Sequence, residues 1–286
     1  MSVRIVTDSA SCIGAEDLER LAITTVPLSV LAEGRIIPES ELHTPAFYER
    51  LADLDSLPTT SQPSPEEFMD AFRALLGKGH DVLAMLISAG LSGTVRSAEL
   101  AVETIRGEQP AARIEILDTK SNSLEEGFAV LSAAEAAYGG KTLEECRRIG
   151  EEVMRRTRFL FTPHTLEYLR RGGRITGAKA LLSVMLRIVP ILTAENGVTG
   201  VVGVARSGRA AYEKIAAHMR RDIERFGLRR VAVQYVADEQ RARDFAAEVV
   251  EPIAARSVPI VPIPPIVGVH VGPAIGVVYE TEEPMR

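Results

Sequence analysis

The sequence predicts an α/β protein of two domains, and three observations carry that reading. Strands and helices alternate along the chain. Its 286 residues are long for one hydrophobic core. Near residue 158 the texture changes from regular alternation to glycine-rich and proline-rich stretches. The domains are therefore placed at 1–157 and 158–286. With 46% hydrophobic and 25% charged residues but no Trp, the interior is aliphatic. A net charge of −6, with no basic, aromatic-laced stripe, argues against a nucleic-acid partner. Cys12 and Cys146 lie far apart without a C-x-x-C, so neither a metal site nor a disulfide framework is expected. The opening M-S-V-R-I-V-T-D enters a strand directly, without a signal-peptide pattern. The longest apolar region, 178–192, is interrupted by Lys179, Arg187 and Pro190, too short and too charged to span a bilayer. The expectation is a cytoplasmic protein with no stable membrane insertion.

In the first domain, residues 3–6 form a short apolar strand ending in Thr7-Asp8-Ser9-Ala10-Ser11. Asp8 at that strand end can be an acid or a metal ligand, but capping a turn is favoured. Residues 23–31 read as one strand, with Pro27 marking an edge or bulge. Thr44-Pro45 starts a short helix. In Pro58-Thr59-Thr60-Ser61-Gln62-Pro63-Ser64-Pro65-Glu66-Glu67 the end is explained by a capping box, with Ser64 as N-cap, Pro65 at N1 and Glu67 at N3. A helix over 66–76 follows and stops at Gly77. That leaves Thr59, Thr60, Ser61 and Gln62 as uncharged donors in a loop, or as an ordinary polar loop. Residues 82–87 are a short apolar run with β-branched ends, hence a strand buried on both faces. A strand over 113–117 and helices over 124–138 and 143–157, split by Gly139-Gly140, complete the domain.

The second domain opens with a strand at Phe159-Leu160-Phe161 and a short helix over 166–170. The turn Gly172-Gly173-Arg174-Ile175-Thr176-Gly177 leads into the apolar segment 180–189. Asn196-Gly197 is a hairpin signal between strands at 190–192 and 198–205. Helices over 210–226 and 239–254 flank a strand at 231–236. Residues 259–265 are proline-rich and extended, and 277–279 form a closing strand. Gly268, Gly272 and Gly276, spaced by four, indicate close backbone approach but no phosphate loop, because G-K-[ST] is absent. No G-x-G-x-x-G follows the first strand, so no dinucleotide cofactor is implied.

The stretch that organises these elements is Ser88-Ala89-Gly90-Leu91-Ser92-Gly93-Thr94, between the buried strand and the next helix. In an open α/β sheet that turn sits where ligands collect. Free N–H groups with the Ser92 and Thr94 hydroxyls form a neutral nest for an anion. Three readings stay open there. Ser92 or Thr94 can be a helix cap. Ser92 can be a nucleophile, although G-x-S-x-G is not met because Gly90-Leu91-Ser92-Gly93 is one residue too short. The nest can also hold a carboxylate or phosphate. His270 stands out among the five histidines by its place among glycines, where a turn or interface role is the plain alternative. A lone Arg206 ahead of a helix is ordinarily a solvated charge.

Five stretches taken together resemble the DegV family. They are Thr7-Asp8-Ser9-Ala10-Ser11, Pro58-Thr59-Thr60-Ser61-Gln62-Pro63, Leu91-Ser92-Gly93-Thr94, Arg170-Arg171-Gly172-Gly173-Arg174-Ile175 and His270-Val271-Gly272-Pro273, and the likeness covers essentially the whole chain. It implies a two-domain α/β protein that holds one long-chain fatty acid between its domains. Such proteins present the acyl carboxylate to a separate ATP-dependent fatty acid kinase subunit for acyl phosphate formation, and are not themselves enzymes. On this resemblance Thr60 and Ser92 hold the carboxylate, with Ser61, Gly93 and His270 around it. Arg206 and Arg174 serve phosphoryl transfer or face the partner. Cys12 in the opening motif and Pro273-Ala274-Ile275 in the tail depart from the family pattern.

The resemblance agrees with the chemistry of the residues. A fatty acid tail needs a dry aliphatic tunnel, for which Ala180-Leu181-Leu182-Ser183-Val184-Met185-Leu186 is a candidate wall, though a plain core helix explains it as well. Burial of the tail can hold the ligand without a salt bridge, so neutral hydroxyls suffice at the head and leave the carboxylate reactive. Two alternatives remain: a serine hydrolase using Ser92 and His270, and a binder of a phosphorylated small molecule clamped by Arg206 and Arg174.

Overall fold

The computed structural model describes residues 2–42, 44–51, 57–183 and 188–285. The first half contains β1 (Val3–Asp8), α1 (Ala15–Arg20), β2 (Thr24–Val26), β3 (Ser29–Ala32), β4 (Arg35–Pro38), α2 (Thr44–Leu51), β5 (Thr59–Ser61), α3 (Pro65–Leu76), β6 (Asp81–Leu86), α4 (Thr94–Glu108), β7 (Ile114–Asp118), α5 (Ser123–Tyr138) and α6 (Leu143–Arg156). Strands β2-β1-β6-β7 form a parallel sheet in that order. The apolar run 82–87 becomes its inner strand β6, buried along its whole length. Successive side chains of β6 serve different cores. Leu83 and Met85 join α5 on one face, while Val82, Ala84 and Leu86 join Phe68 and Phe72 of α3 on the other.

The residues 23–31 do not form one strand. Pro27 has no N–H to give a ladder, and the chain changes sheets there. Thr24–Val26 pairs with β1, and Ser29–Ala32 joins a small antiparallel sheet of order β4-β3-β5. The third strand of that sheet is Thr59–Ser61, so this polar run is a strand and not a loop, with Thr60 opposite Val30. The capping box at Ser64 and Glu67 is present as the sequence predicts. Asp8 caps the turn Ser9–Ser11, its Oδ1 accepting from Ala10 N at 2.9 Å.

The second half contains β8 (Thr157–Pro163), α7 (Glu167–Arg171), β9 (Val189–Glu195), β10 (Val198–Ala205), α8 (Gly208–Phe226), β11 (Arg230–Val236), α9 (Glu239–Phe245), α10 (Glu251–Ala254), β12 (Ile260–Pro262), α11 (Pro265–Val271) and β13 (Ala274–Glu280). Its six-stranded sheet runs β10-β9-β8-β13-β11-β12, antiparallel except for β11 and β12. The β9–β10 turn has Asn196 at φ 50° and Gly197 at φ 82°, the left-handed pair that a two-residue hairpin requires. The helix expected over 239–254 is interrupted by a π-helical stretch, Ala246–Val250, just before Pro252. Pro252 cannot donate the helical bond at its position, and the wider turn absorbs that loss. Helix α11 was not expected. It occupies the stretch read as glycine-rich chain, and its glycines do mark close approach: a Cβ at Gly268 would strike the Tyr48 hydroxyl, at Gly272 the Tyr168 ring, and at Gly276 Phe159 and Phe161.

Two α/β units result, joined by one continuous apolar core. Phe159 and Phe161 of β8 and Ala274 and Val278 of β13 belong to the same cluster as Phe128 and Ala133 of α5 and Leu83 of β6. Leu160, Ile275, Val277 and Tyr279 face the opposite side, against α8 and α9. Helix α5 therefore lies between the two sheets, and its small residues Ala129, Ala133 and Ala134 let them come close. Among the described residues no helix is long and apolar enough to cross a membrane. Part of the candidate wall at 180–186 lies outside the described residues, and where it is described Ala180 is exposed.

Candidate functional site

Between the two units lies a cavity lined mostly by apolar side chains. Leu28 of β3's approach, Phe159 and Phe161 of β8, and Ile263, Ile266 and Val267 around α11 line its length. Its empty space is about 730 Å³ counted to the open mouth. Among the described residues the wall comes from β8 and from Ile263 and α11, and neither Ala180 nor Leu181 lines it; the rest of the predicted apolar segment lies outside the described side chains.

The polar side chains in the lining are Thr60, Ser92, Asn122, Arg174, Thr193, Thr199 and His270, of which Thr60, Ser92, Arg174 and His270 form the candidate head. Each of these four comes from a different element. Thr60 is the middle residue of β5. Ser92 lies in the turn after β6, where its N–H donates to Ser88 O at 3.0 Å. Its hydroxyl shares a hydrogen bond with Thr94 Oγ1 at 2.8 Å. Gly93 holds the N-cap position of α4 without a side-chain bond, while Ser92 Oγ accepts a long bond from Thr94 N, the first residue of the helix, at 3.4 Å. Gly93 lies directly under Gln62, whose side-chain nitrogen would be 2.6 Å from a Cβ there. The T-S-Q-P and S-G-T stretches are thus packed on each other.

His270 sits in the last turn of α11, with Nε2 2.7 Å from Thr60 Oγ1. Its ring lies against Gly172, where a Cβ would come within 2.4 Å of Nδ1, so the glycine turn after α7 is what admits the imidazole. Burial and then the nearby Arg174 charge push His270 down to about 4. It is therefore neutral at pH 7. Arg174 is half-buried, its Nε donating to Leu91 O at 3.1 Å and its Nη1 to Gly172 O at 2.6 Å. Desolvation lowers its pKa from the ordinary value, and it is the one permanent cation among the described residues lining the cavity. The expectation of an entirely uncharged head is corrected by this residue.

The other predicted positions fall elsewhere. Ser61 alternates to the far side of β5 from Thr60, its hydroxyl donating to Gln62 O at 3.2 Å, and it does not line the cavity. Gly93 contributes packing under Gln62 in place of a lining surface. Arg206 is exposed beyond the end of β10. Six residues of extended chain, roughly 20 Å, separate that end from Thr199 in the cavity lining. Arg206 and Arg174 therefore do not form one anion clamp, and the reading built on that clamp has no geometric support. The hydrolase reading fails as well. His270 Nε2 is bonded to Thr60 and not to Ser92, and its Nδ1 is buried without a partner, so no acid orients it.

Behind the site, Asp8 Oδ2 accepts from Ile87 N at 2.7 Å and ties β1 to the end of β6. Burial pushes its carboxyl up to about 7, against the lowering effect of its two backbone N–H donors. The hairpin tip is fastened nearby, with Ser88 Oγ donating to Gly197 O at 2.6 Å. This brings Thr193, Ala194 and Thr199 into the cavity lining. Those residues, like Asn122, carry no sequence signal of their own; only the Asn-Gly turn placed them near a second element.

The sequence profile of the DegV family, described as a family of uncharacterised proteins, matches residues 2–282. A DegV domain-containing protein of Clostridium acetobutylicum is 38% identical, with 100% of each chain covered. A solved structure described as showing fatty acid binding of a DegV family protein from Thermus thermophilus superposes with a TM-score of 0.87. It is 34% identical and covers 98% of this chain and 100% of its own. A stearic-acid-binding protein from Eubacterium ventriosum superposes with a TM-score of 0.87 at 26% identity, over 97% of this chain and 98% of its own.

Proposed function

The chain belongs to the DegV family, and on that premise we propose that its cavity holds one long-chain fatty acid and presents the carboxylate to a separate ATP-dependent kinase. The observation that carries the reading is a mostly apolar cavity that meets Thr60, Ser92, Arg174 and His270. Relatives of the same fold are described as binding fatty acids, one of them stearic acid. The tail would lie along Phe159, Phe161, Ile263 and Val267. Burying roughly 14 methylenes at about 0.8 kcal/mol each is a gross gain near 11 kcal/mol, enough to make the tail the main source of affinity.

At the head, Thr60 and Ser92 donate to the carboxylate. The neutral His270 donates from Nε2 to Thr60 Oγ1 and fixes its rotamer, leaving the hydroxyl proton for the carboxylate, and Arg174 adds a positive field. In the transfer step a carboxylate oxygen attacks the γ-phosphorus of ATP held by the kinase, and ADP leaves. An exposed Arg206 suits contact with that partner. The protein acts as a carrier, its two units dividing at residues 157 and 158, in the cytoplasm.

Native mass spectrometry of protein purified without detergent or added lipid tests this. One long-chain fatty acid per chain, lost on denaturation, is expected. A ligand-free protein that also takes up no added oleate or palmitate would refute it.

A further inference from the structure

Residues 263–271 serve the cavity twice, since Ile263, Ile266 and Val267 line its apolar length and His270 its polar end. The segment is fastened to the first half by three hydrogen bonds. Tyr48 Oη donates to Ile263 O at 2.9 Å, Ile266 N donates to Glu39 Oε1 at 3.1 Å, and Thr60 Oγ1 meets His270 Nε2 at 2.7 Å. Of these partners Glu39 is the unusual one. It is a carboxyl only 8% exposed, its Oε2 is buried without any partner, and no cation of the described residues pairs with it. The groups that face it are the Asp8 carboxyl and Ser9 hydroxyl at the end of β1, the Cys12 thiol and the Tyr48 phenol of α2. None of them supplies positive charge; Arg229, Arg230 and Arg256 line the same open groove as Glu39, but Arg229 and Arg230 are paired with Glu280. On its other side α11 meets α7, whose Glu167, Arg170 and Arg171 pair among themselves.

An ionised carboxylate at this place would have one buried oxygen without a hydrogen-bond partner and a second carboxyl nearby. A neutral carboxyl accepts from Ile266 N equally well and avoids that cost. We propose that Glu39 is the positioning residue of α11, holding the cavity wall and His270 in place as a protonated carboxyl, so that closure of the wall takes up a proton. Burial accordingly pushes Glu39 up from its ordinary 4.5 to about 7, with the Ser9 and Ile266 hydrogen bonds opposing. When α11 lifts away, the carboxyl is hydrated and returns towards its ordinary value. The stabilisation of the closed wall is thus complete below about 4.5 and is lost as pH rises through about 7. Faster ligand release at higher pH follows, and that consequence alone rests on the fatty-acid reading.

Hydrogen exchange of residues 263–271 in the ligand-free protein tests the latch between pH 5 and 8, after correction for the intrinsic rise of exchange with pH. In the native protein protection of this segment falls by at least about tenfold across that range. Glu39→Gln keeps an acceptor for Ile266 N but cannot ionise, so its protection stays flat at the native pH 5 level. Glu39→Leu loses the acceptor, and the segment is poorly protected throughout. A native protein with flat protection, or a Glu39→Gln variant that keeps the native pH response, overturns the proposal. Should Glu39→Gln fail to fold, the native pH series still decides. Release of a fluorescent long-chain fatty acid, measured on the same samples, is expected to quicken from pH 5 to 8 only in the native protein. If no fatty acid binds while the exchange pattern holds, the latch stands and the ligand assignment falls.

Discussion

The wall and the head of the cavity are built in opposite ways. The wall is a gap in the largest apolar core: Leu28, Phe159, Phe161, Leu169, Ile263 and Val267 line it and also belong to the cluster that joins the two units. Phe159 and Phe161 stack at 5.1 Å between ring centroids. The head consists of four polar side chains on four elements, held by hydrogen bonds and by two glycine contacts, at Gly93 and Gly172. Wall residues therefore carry fold and ligand together. Head residues carry the ligand and little of the fold. Substitutions should separate the two along that line.

The largest effect is expected in the wall. Phe161→Ala removes a 7% exposed ring from the joint core and should lower stability by about 3–5 kcal/mol, read from urea unfolding. If the protein tolerated it with less than about 1 kcal/mol lost, the wall would not be part of the core. At the head, Ser92→Ala should leave unfolding nearly unchanged yet weaken fatty acid binding by roughly 1.5–3 kcal/mol, the value of a hydrogen bond to a charged group. Titration with a fluorescent fatty acid measures this, and equal affinity in variant and native protein would remove Ser92 from the head.

The pH response sharpens the same contrast. His270 is depressed from 6.5 to about 4, so its contribution to the folded state is fully present above about 6.5 and is lost progressively as pH falls through about 4. An NMR titration should find its ring neutral from pH 5 to 8. A midpoint near 6.5 would mean an open, hydrated head. The smallest effect belongs to Arg206→Ala. As an exposed residue outside the cavity it should change stability by no more than about 0.5 kcal/mol and leave lipid affinity alone, while slowing acyl phosphate formation with kinase and ATP. A variant that lost lipid but kept its rate per bound ligand would reverse that role.

The same division governs what could be read from the sequence. Ser92 and Thr60 were legible because a run of small polar residues beside a buried element has few uses beyond capping and binding. The inner strand β6 was legible from its uninterrupted apolar run. The wall was not, because a residue lining an apolar cavity and a residue in a solid core have the same chemistry. Thr60 was recognised but placed in a loop, since β5 is only three residues long and its partner β3 lies some 30 residues earlier, hidden behind Pro27. Helix α11 was obscured by Pro264, Pro265 and Gly268, which depress helix propensity. Pro265 at its first position is nevertheless a start signal that could have found it. Arg174 follows two glycines and reads as exposed, but the turn it ends folds it back onto Leu91.

The central claim is that the polar end of the cavity holds a carboxylate. A fatty acid labelled with ¹³C at its carboxyl carbon tests it directly by NMR. The account predicts a single bound resonance, distinct from free lipid, that moves in Thr60→Ala and Ser92→Ala and stays in place in Arg206→Ala. A bound carboxyl resonance that none of the head substitutions shifts would contradict it.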